Sequence, residues 1–168
     1  EDNLPRFSMP TIMASILVND SQTGKPLALM EGAYITALRT GAASGVAAKY
    51  LARKDSAVAG VIGTGVQART QIWAISEVLR KITEVKAYDL VPGRAEPFAK
   101  DMSTRHGLKV EAVETSEDCV EDSDVLVVAT TSKTPVFDGH WLKKGAHVSS
   151  IGVSGREGRE LDDTTIKN

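Results

Sequence analysis

Three features of the 168-residue sequence predict an α/β fold: a doubly wound parallel sheet preceded by part of a second domain. After Lys54-Asp55, short and nearly continuous apolar segments alternate with amphipathic ones, as expected for parallel strands covered by helices on both faces. Gly63-Thr64-Gly65-Val66-Gln67-Ala68 stands between one such strand and the helix that follows. Before Lys54 the pattern is a hairpin and a helix of small side chains, so the domains are set at residues 1–53 and 54–168.

Ile12 to Asn19 and Pro26 to Met30 read as strands, joined by the turn residues Asp20-Ser21-Gln22-Thr23-Gly24. From Gly32 to about Arg53 the pattern is helical. Ala33, Ala37, Gly41, Ala42, Gly45 and Ala48 make a surface that another backbone can approach closely. Strands follow at Val58 to Ile62, Val85 to Tyr88, Leu108 to Val113, Val125 to Ala129 and His147 to Ile151. Between them lie helices over Val66 to about Leu79 and Arg94 to about Arg105, and a short acidic stretch from Ser116 to Asp122.

Composition removes several function classes. Hydrophobic residues are 42% and charged residues 25%, a folded and not a disordered profile. A net charge of -2 offers no basic field for nucleic acid or an anionic membrane surface. No apolar run approaches the roughly 20 residues of a membrane span. Cys119 is the single cysteine, which excludes an internal disulfide and fits a reducing compartment. With no apolar leader in Glu1-Asp2-Asn3-Leu4-Pro5-Arg6, the expected location is the cytoplasm. The sequence is expected to be a fragment of a longer protein.

The glycine motif has the G-x-G-x-x-A form of a dinucleotide-binding turn in a Rossmann-type doubly wound sheet. Gly63 allows the tight turn, Gly65 lets backbone approach a pyrophosphate, and Ala68 keeps the helix close to the sheet. Val66 and Gln67 begin the helix whose N-terminus faces the phosphates. Asp89 ends the second strand 21 residues after Ala68, the place for a carboxylate that accepts ribose hydroxyls. It would repel a 2′-phosphate, which points to NAD rather than NADP. Its alternative reading is a helix N-cap or a turn residue before Pro92-Gly93. Thr130 ends the fourth strand, where ligands of such sheets bind.

With Thr23-Gly24-Lys25-Pro26-Leu27-Ala28-Leu29, Thr36-Ala37-Leu38-Arg39-Thr40-Gly41-Ala42, Trp141-Leu142-Lys143-Lys144-Gly145-Ala146-His147 and Arg159-Glu160-Leu161-Asp162, the glycine motif resembles the ornithine cyclodeaminase/mu-crystallin family. The resemblance implies a homodimer with a substrate and dimerisation domain and an inserted Rossmann domain. It further implies hydride transfer between a nicotinamide and the α-carbon of a small amino acid or its imine, cyclic imines included. By the same resemblance Arg39 lies near the substrate carboxylate and the cofactor phosphate, and Thr11 and Gln67 contact the cofactor. Ile151, Gly152 and Val153 would line the nicotinamide. Arg39 suits carboxylate binding through its bidentate guanidinium; its alternative is an ion pair with Glu31 or Asp89.

Ornithine cyclodeaminases carry a catalytic aspartate after the fifth strand, where this sequence has Ser154. An aspartate can exchange a proton with a substrate amine, whereas an unassisted serine mainly forms hydrogen bonds. Ser154 is thus the catalytic candidate on this chain, and imine reduction or amino-acid oxidation is favoured over cyclodeamination. A non-catalytic, mu-crystallin-like binder of NAD(P) and a ligand is the alternative from another class. The family lysine and a further substrate arginine are expected ahead of Glu1, so the fragment alone is not expected to complete catalysis.

Other groups are set aside. His106, His140 and His147 lack companions at metal-ligand spacing, so no metal is expected, and His140 is expected to pack at a loop. Cys119 is expected to be buried, Asp124 to be one of several solvated or helix-boundary charges, and Glu160 and Asp162 to be first-turn helix charges.

Overall fold

The computed structural model describes residues 6–152 and 158–167. By compactness the chain divides into two units, Glu1–Arg39 and Thr40–Asn168. The division falls within the helix α1 (Gly32–Leu51).

The first unit holds an antiparallel hairpin, β1 (Ser15–Asn19) and β2 (Pro26–Glu31). One oxygen of Asp20 shapes its turn, accepting the N–H groups of Gln22 at 3.1 Å and Thr23 at 2.7 Å and the Thr23 hydroxyl at 2.7 Å. β1 begins at Ser15 and not at Ile12, because β2 stops at Glu31 and leaves the earlier residues no partner strand. Glu31 stops β2 because it caps α1: its carboxylate accepts the N–H of Ala33 at 2.7 Å and of Tyr34 at 2.8 Å.

In the second unit five parallel strands lie where the apolar segments predict them: β3 (Val58–Ile62), β4 (Glu84–Tyr88), β5 (Lys109–Ala112), β6 (Val125–Val128) and β7 (His147–Ser150). The helices are α2 (Val66–Val78), α3 (Ala95–His106), α4 (Ser116–Val120) and α5 (Asp163–Lys167). β6 explains the unbroken apolar runs. Val125 and Val127 join Val61, Ile72, Val85 and Phe98 in one core, while Leu126 and Val128 join Ile62, Cys119 and Phe137 in another. Within the second unit, the Gly41 and Gly45 part of α1 lies against α2, where a Cβ on Gly45 would come within 3.1 Å of Ala74. Among the described residues no helix is long and apolar enough to cross a membrane.

The strand order is β5-β4-β3-β6-β7. The winding therefore reverses between β3 and β6, and in such sheets the crevice at that switch, beyond the strand carboxyl ends, is where ligands bind. The opposite end of the sheet is closed by Asp124, which is 4% exposed and not a solvated charge. One of its oxygens accepts the N–H groups of Ala57 at 2.8 Å and Val58 at 3.2 Å. The other meets Arg53 at 2.5 Å and Lys143 at 2.7 Å. Two cations and two amides from three places in the chain converge on a carboxylate that sequence alone reads as surface.

Candidate functional site

The glycine-rich turn links β3 to α2. Gly63 has φ +87°, and a Cβ there would sit 2.6 Å from the Ala129 carbonyl oxygen, so only glycine lets β3 and β6 approach this closely. Among the described residues, a Cβ on Gly65 would meet nothing within 4 Å, which leaves open space above the turn. α2 starts with no side-chain cap and no acidic residue in its first turn, which leaves its N-terminal amides to an anion. Val66 is exposed beside this opening, and among the described residues the buried amide oxygen of Gln67 has no partner. Open space and uncapped amides fit the phosphates of a cofactor, and the unpaired Gln67 oxygen can accept from one of its hydroxyls.

Asp89 ties this turn to the end of β4. One oxygen accepts the Thr64 N–H at 2.9 Å and the Thr64 hydroxyl at 2.8 Å, and the other accepts the Val91 N–H at 3.0 Å. Burial alone would raise its pKa, but the hydrogen bonds from Val91 and Thr64 and the Arg94 charge outweigh that and lower it. Asp89 is therefore a turn-forming residue in its own right. Among the described residues the Val91 N–H is the one donor on its second oxygen, which has capacity for a further hydroxyl.

On the other side of the crevice, Thr130 follows β6 and Gly152 follows β7. Both are held by Glu160, which is 2% exposed and not a solvated first-turn charge. One Glu160 oxygen accepts the Thr130 N–H at 2.7 Å and the Thr130 hydroxyl at 2.5 Å. The other accepts the Gly152 N–H at 2.8 Å and the Ser150 hydroxyl at 3.0 Å. Sequence reading passes over Glu160 as a site residue because its donors come from two distant strand ends. Asp162, by contrast, has the expected helix-start role, accepting the N–H of Thr165 at 2.8 Å and of Gly139 at 3.0 Å. Ile151 donates to Val128 at 3.0 Å, while Val153 and Ser154 lie outside the described residues.

Thr11 and Arg39 belong to the first unit, and both are exposed. The Glu31 carboxylate is engaged by the amides of α1, and among the described residues Arg39 makes no ion pair. His140 is exposed and pairs with Asp138 at 2.7 Å, so it does not pack as expected. Cys119 is buried as expected, and burial pushes its thiol up to about 12.

A family model for the ornithine cyclodeaminase/mu-crystallin family matches residues 1–168. The chain is 43% identical over 164 residues to an alanine dehydrogenase of Archaeoglobus fulgidus, covering 97% of this chain and 49% of that protein. It is 34% identical over 160 residues to the ketimine reductase mu-crystallin of Rattus norvegicus, covering 95% and 50% respectively. The solved Delta(1)-pyrroline-2-carboxylate reductase of Thermococcus litoralis, in complex with NADH and L-proline, superposes with a TM-score of 0.93 at 53% identity. That match covers 98% of this chain and 51% of the reductase chain. The chain thus spans about half the length of the relatives it matches.

Proposed function

The chain belongs to the ornithine cyclodeaminase/mu-crystallin family, and on that premise we propose that it forms the NAD-binding half of an oxidoreductase acting on a small amino acid or its cyclic imine. The observation that carries this reading is the open cradle at Gly65, uncapped at the start of α2 and fixed from behind by Asp89. Bound NAD or NADH supplies the hydride chemistry at the α-carbon. In this assignment Gly63, Gly65, Val66 and Gln67 hold the pyrophosphate, and Asp89 takes the adenosine ribose and disfavours a 2′-phosphate. Thr130, Gly152 and Val153 line the nicotinamide half. Arg39 binds the substrate carboxylate, Thr11 adds a cofactor contact, and Ser154 offers a hydrogen bond in place of a carboxylate base.

Residues 1–53 are assigned to a substrate and dimerisation domain, and residues 54–168 to the NAD-binding domain. Leu17, Leu27 and Leu29 leave the hairpin with exposed apolar side chains, which supports a homodimer. The buried thiol of Cys119 suits a cytoplasmic protein.

The test supplies the full-length protein that contains this chain with NADH and pyrroline-2-carboxylate, and separately with NAD and alanine or ornithine, following the reduced nicotinamide by absorbance. NADH consumption with proline formed, or NAD reduction by alanine, supports the reading. Proline and ammonia from ornithine with no net NADH would assign a cyclodeaminase instead. NADH binding without turnover of any substrate would assign a binder.

A further inference from the structure

We propose that Glu160 is a positioning residue for the nicotinamide half of the dinucleotide site, an inference that rests on the NAD-binding reading above. The two sides of the crevice are organised by different carboxylates. Asp89 receives its donors from Thr64 and Val91, on the side of the phosphate turn. Among the described residues Glu160 has four donors, from Thr130, Ser150 and Gly152 at the ends of β6 and β7. The two sets share no residue.

Glu160 shares its burial, its two donors on each oxygen and its backbone amide donors with the structural clamp on Asp124; its place in the sheet and its closeness to Gly152 set it apart. It lies at the carboxyl end of the sheet, where ligands bind, whereas the structural clamp on Asp124 lies at the opposite end. Two donors on each oxygen match the acceptor-only chemistry of a carboxylate, with none shared with solvent at 2% exposure. Its donors include the backbone amides of Thr130 and Gly152, so it sets main-chain position at both strand ends. A Cβ on Gly152 would run into the Thr130 carbonyl and the Glu160 carboxylate, so the two strand ends are pressed together at this group. Glu160 touches neither hydride donor nor acceptor in this scheme. It fixes the backbone against which the nicotinamide ring rests.

Glu160→Gln separates positioning from general stability. Its amide places an NH2 where two donors already point, in either orientation, and both lose their acceptor. ADP-ribose keeps the adenosine and pyrophosphate of the cofactor and lacks the nicotinamide, so titrations with ADP-ribose and NADH report the two halves separately. The expected result is an NADH Kd raised about tenfold with the ADP-ribose Kd changed by less than about twofold. Equal weakening of both ligands, or no change in either, would overturn the assignment. Should Glu160→Gln fail to fold, Ser150→Ala removes a single donor. It is expected to raise the NADH Kd about threefold and to spare ADP-ribose, and a parallel change or none would again overturn the assignment. An unaltered protein that binds neither ligand would instead overturn the NAD-binding reading itself, and this inference with it.

Discussion

Thr64 donates both its backbone N–H, at 2.9 Å, and its hydroxyl, at 2.8 Å, to the same oxygen of Asp89. The phosphate turn and the end of β4 are thereby one hydrogen-bonded unit, and the residue assigned to the ribose also fixes the shape of the turn. Asp89→Ala removes an acceptor of charge-assisted bonds and strands the Thr64 amide. It is expected to weaken NADH binding by roughly 1–3 kcal/mol in a fluorescence titration. Thr64→Val, which keeps the amide bond, is expected to cost about 1 kcal/mol. The double variant should fall short of the sum, because both changes remove the same contact.

Gly65 and Gly152 should part company on substitution. A Cβ at Gly65 enters open space, so Gly65→Ala is expected to keep the melting temperature and to lose NADH affinity by about tenfold or more. A Cβ at Gly152 runs into the Thr130 backbone and the Glu160 side chain, so Gly152→Ala is expected to destabilise the fold by about 1–3 kcal/mol. Thermal melts with and without NADH separate the two. An equal loss of stability in both would contradict the open cradle.

Asp124 predicts a stability loss in acid that leaves ligand affinity aside. Burial raises its pKa, but the Lys143 hydrogen bond and the Ala57 and Val58 amides override that and hold it at about 2, against an ordinary value of 3.8. A folded-state pKa below the unfolded one adds stability above the unfolded value, and this is lost as pH falls from 3.8 towards about 2. The contribution at neutral pH is about 2 kcal/mol. Asp124→Asn should cost about 2–4 kcal/mol at pH 7 in denaturant unfolding, with the gap closing as the pH approaches 2. Because Asp124 sits at the far end of the sheet from the turn, the NADH Kd of the folded variant should not change.

Cys119 should be silent in the native protein. Its sulfur is buried against the carbonyls of Val61 at 3.4 Å and Lys86 at 3.5 Å, and its pKa of about 12 leaves almost no thiolate at neutral pH. A thiol reagent should label it only at the rate of unfolding, so labelling should speed up with denaturant and slow with saturating NADH. Fast labelling in buffer would show that α4 opens locally.

The turn Gly63 to Ala68, the Asp89 carboxylate after β4 and the positions of all five parallel strands were determined by sequence alone. Each depends on neighbours a few residues away: apolar runs that must be covered on both faces, glycines where a side chain cannot go, a strand that leads directly into a helix. The family likeness was legible for the same reason, since its motifs are short and contiguous. Only the tertiary structure decided the order β5-β4-β3-β6-β7, which puts the ends of β3 and β6 side by side and makes the crevice. It alone revealed Glu160 and Asp124, both of which look like ordinary surface carboxylates in the sequence. Their donors lie 8 to 30 and 19 to 71 residues away, respectively. A buried charge is stable only when donors surround it, and for these two residues the donors gather only after the strands have paired.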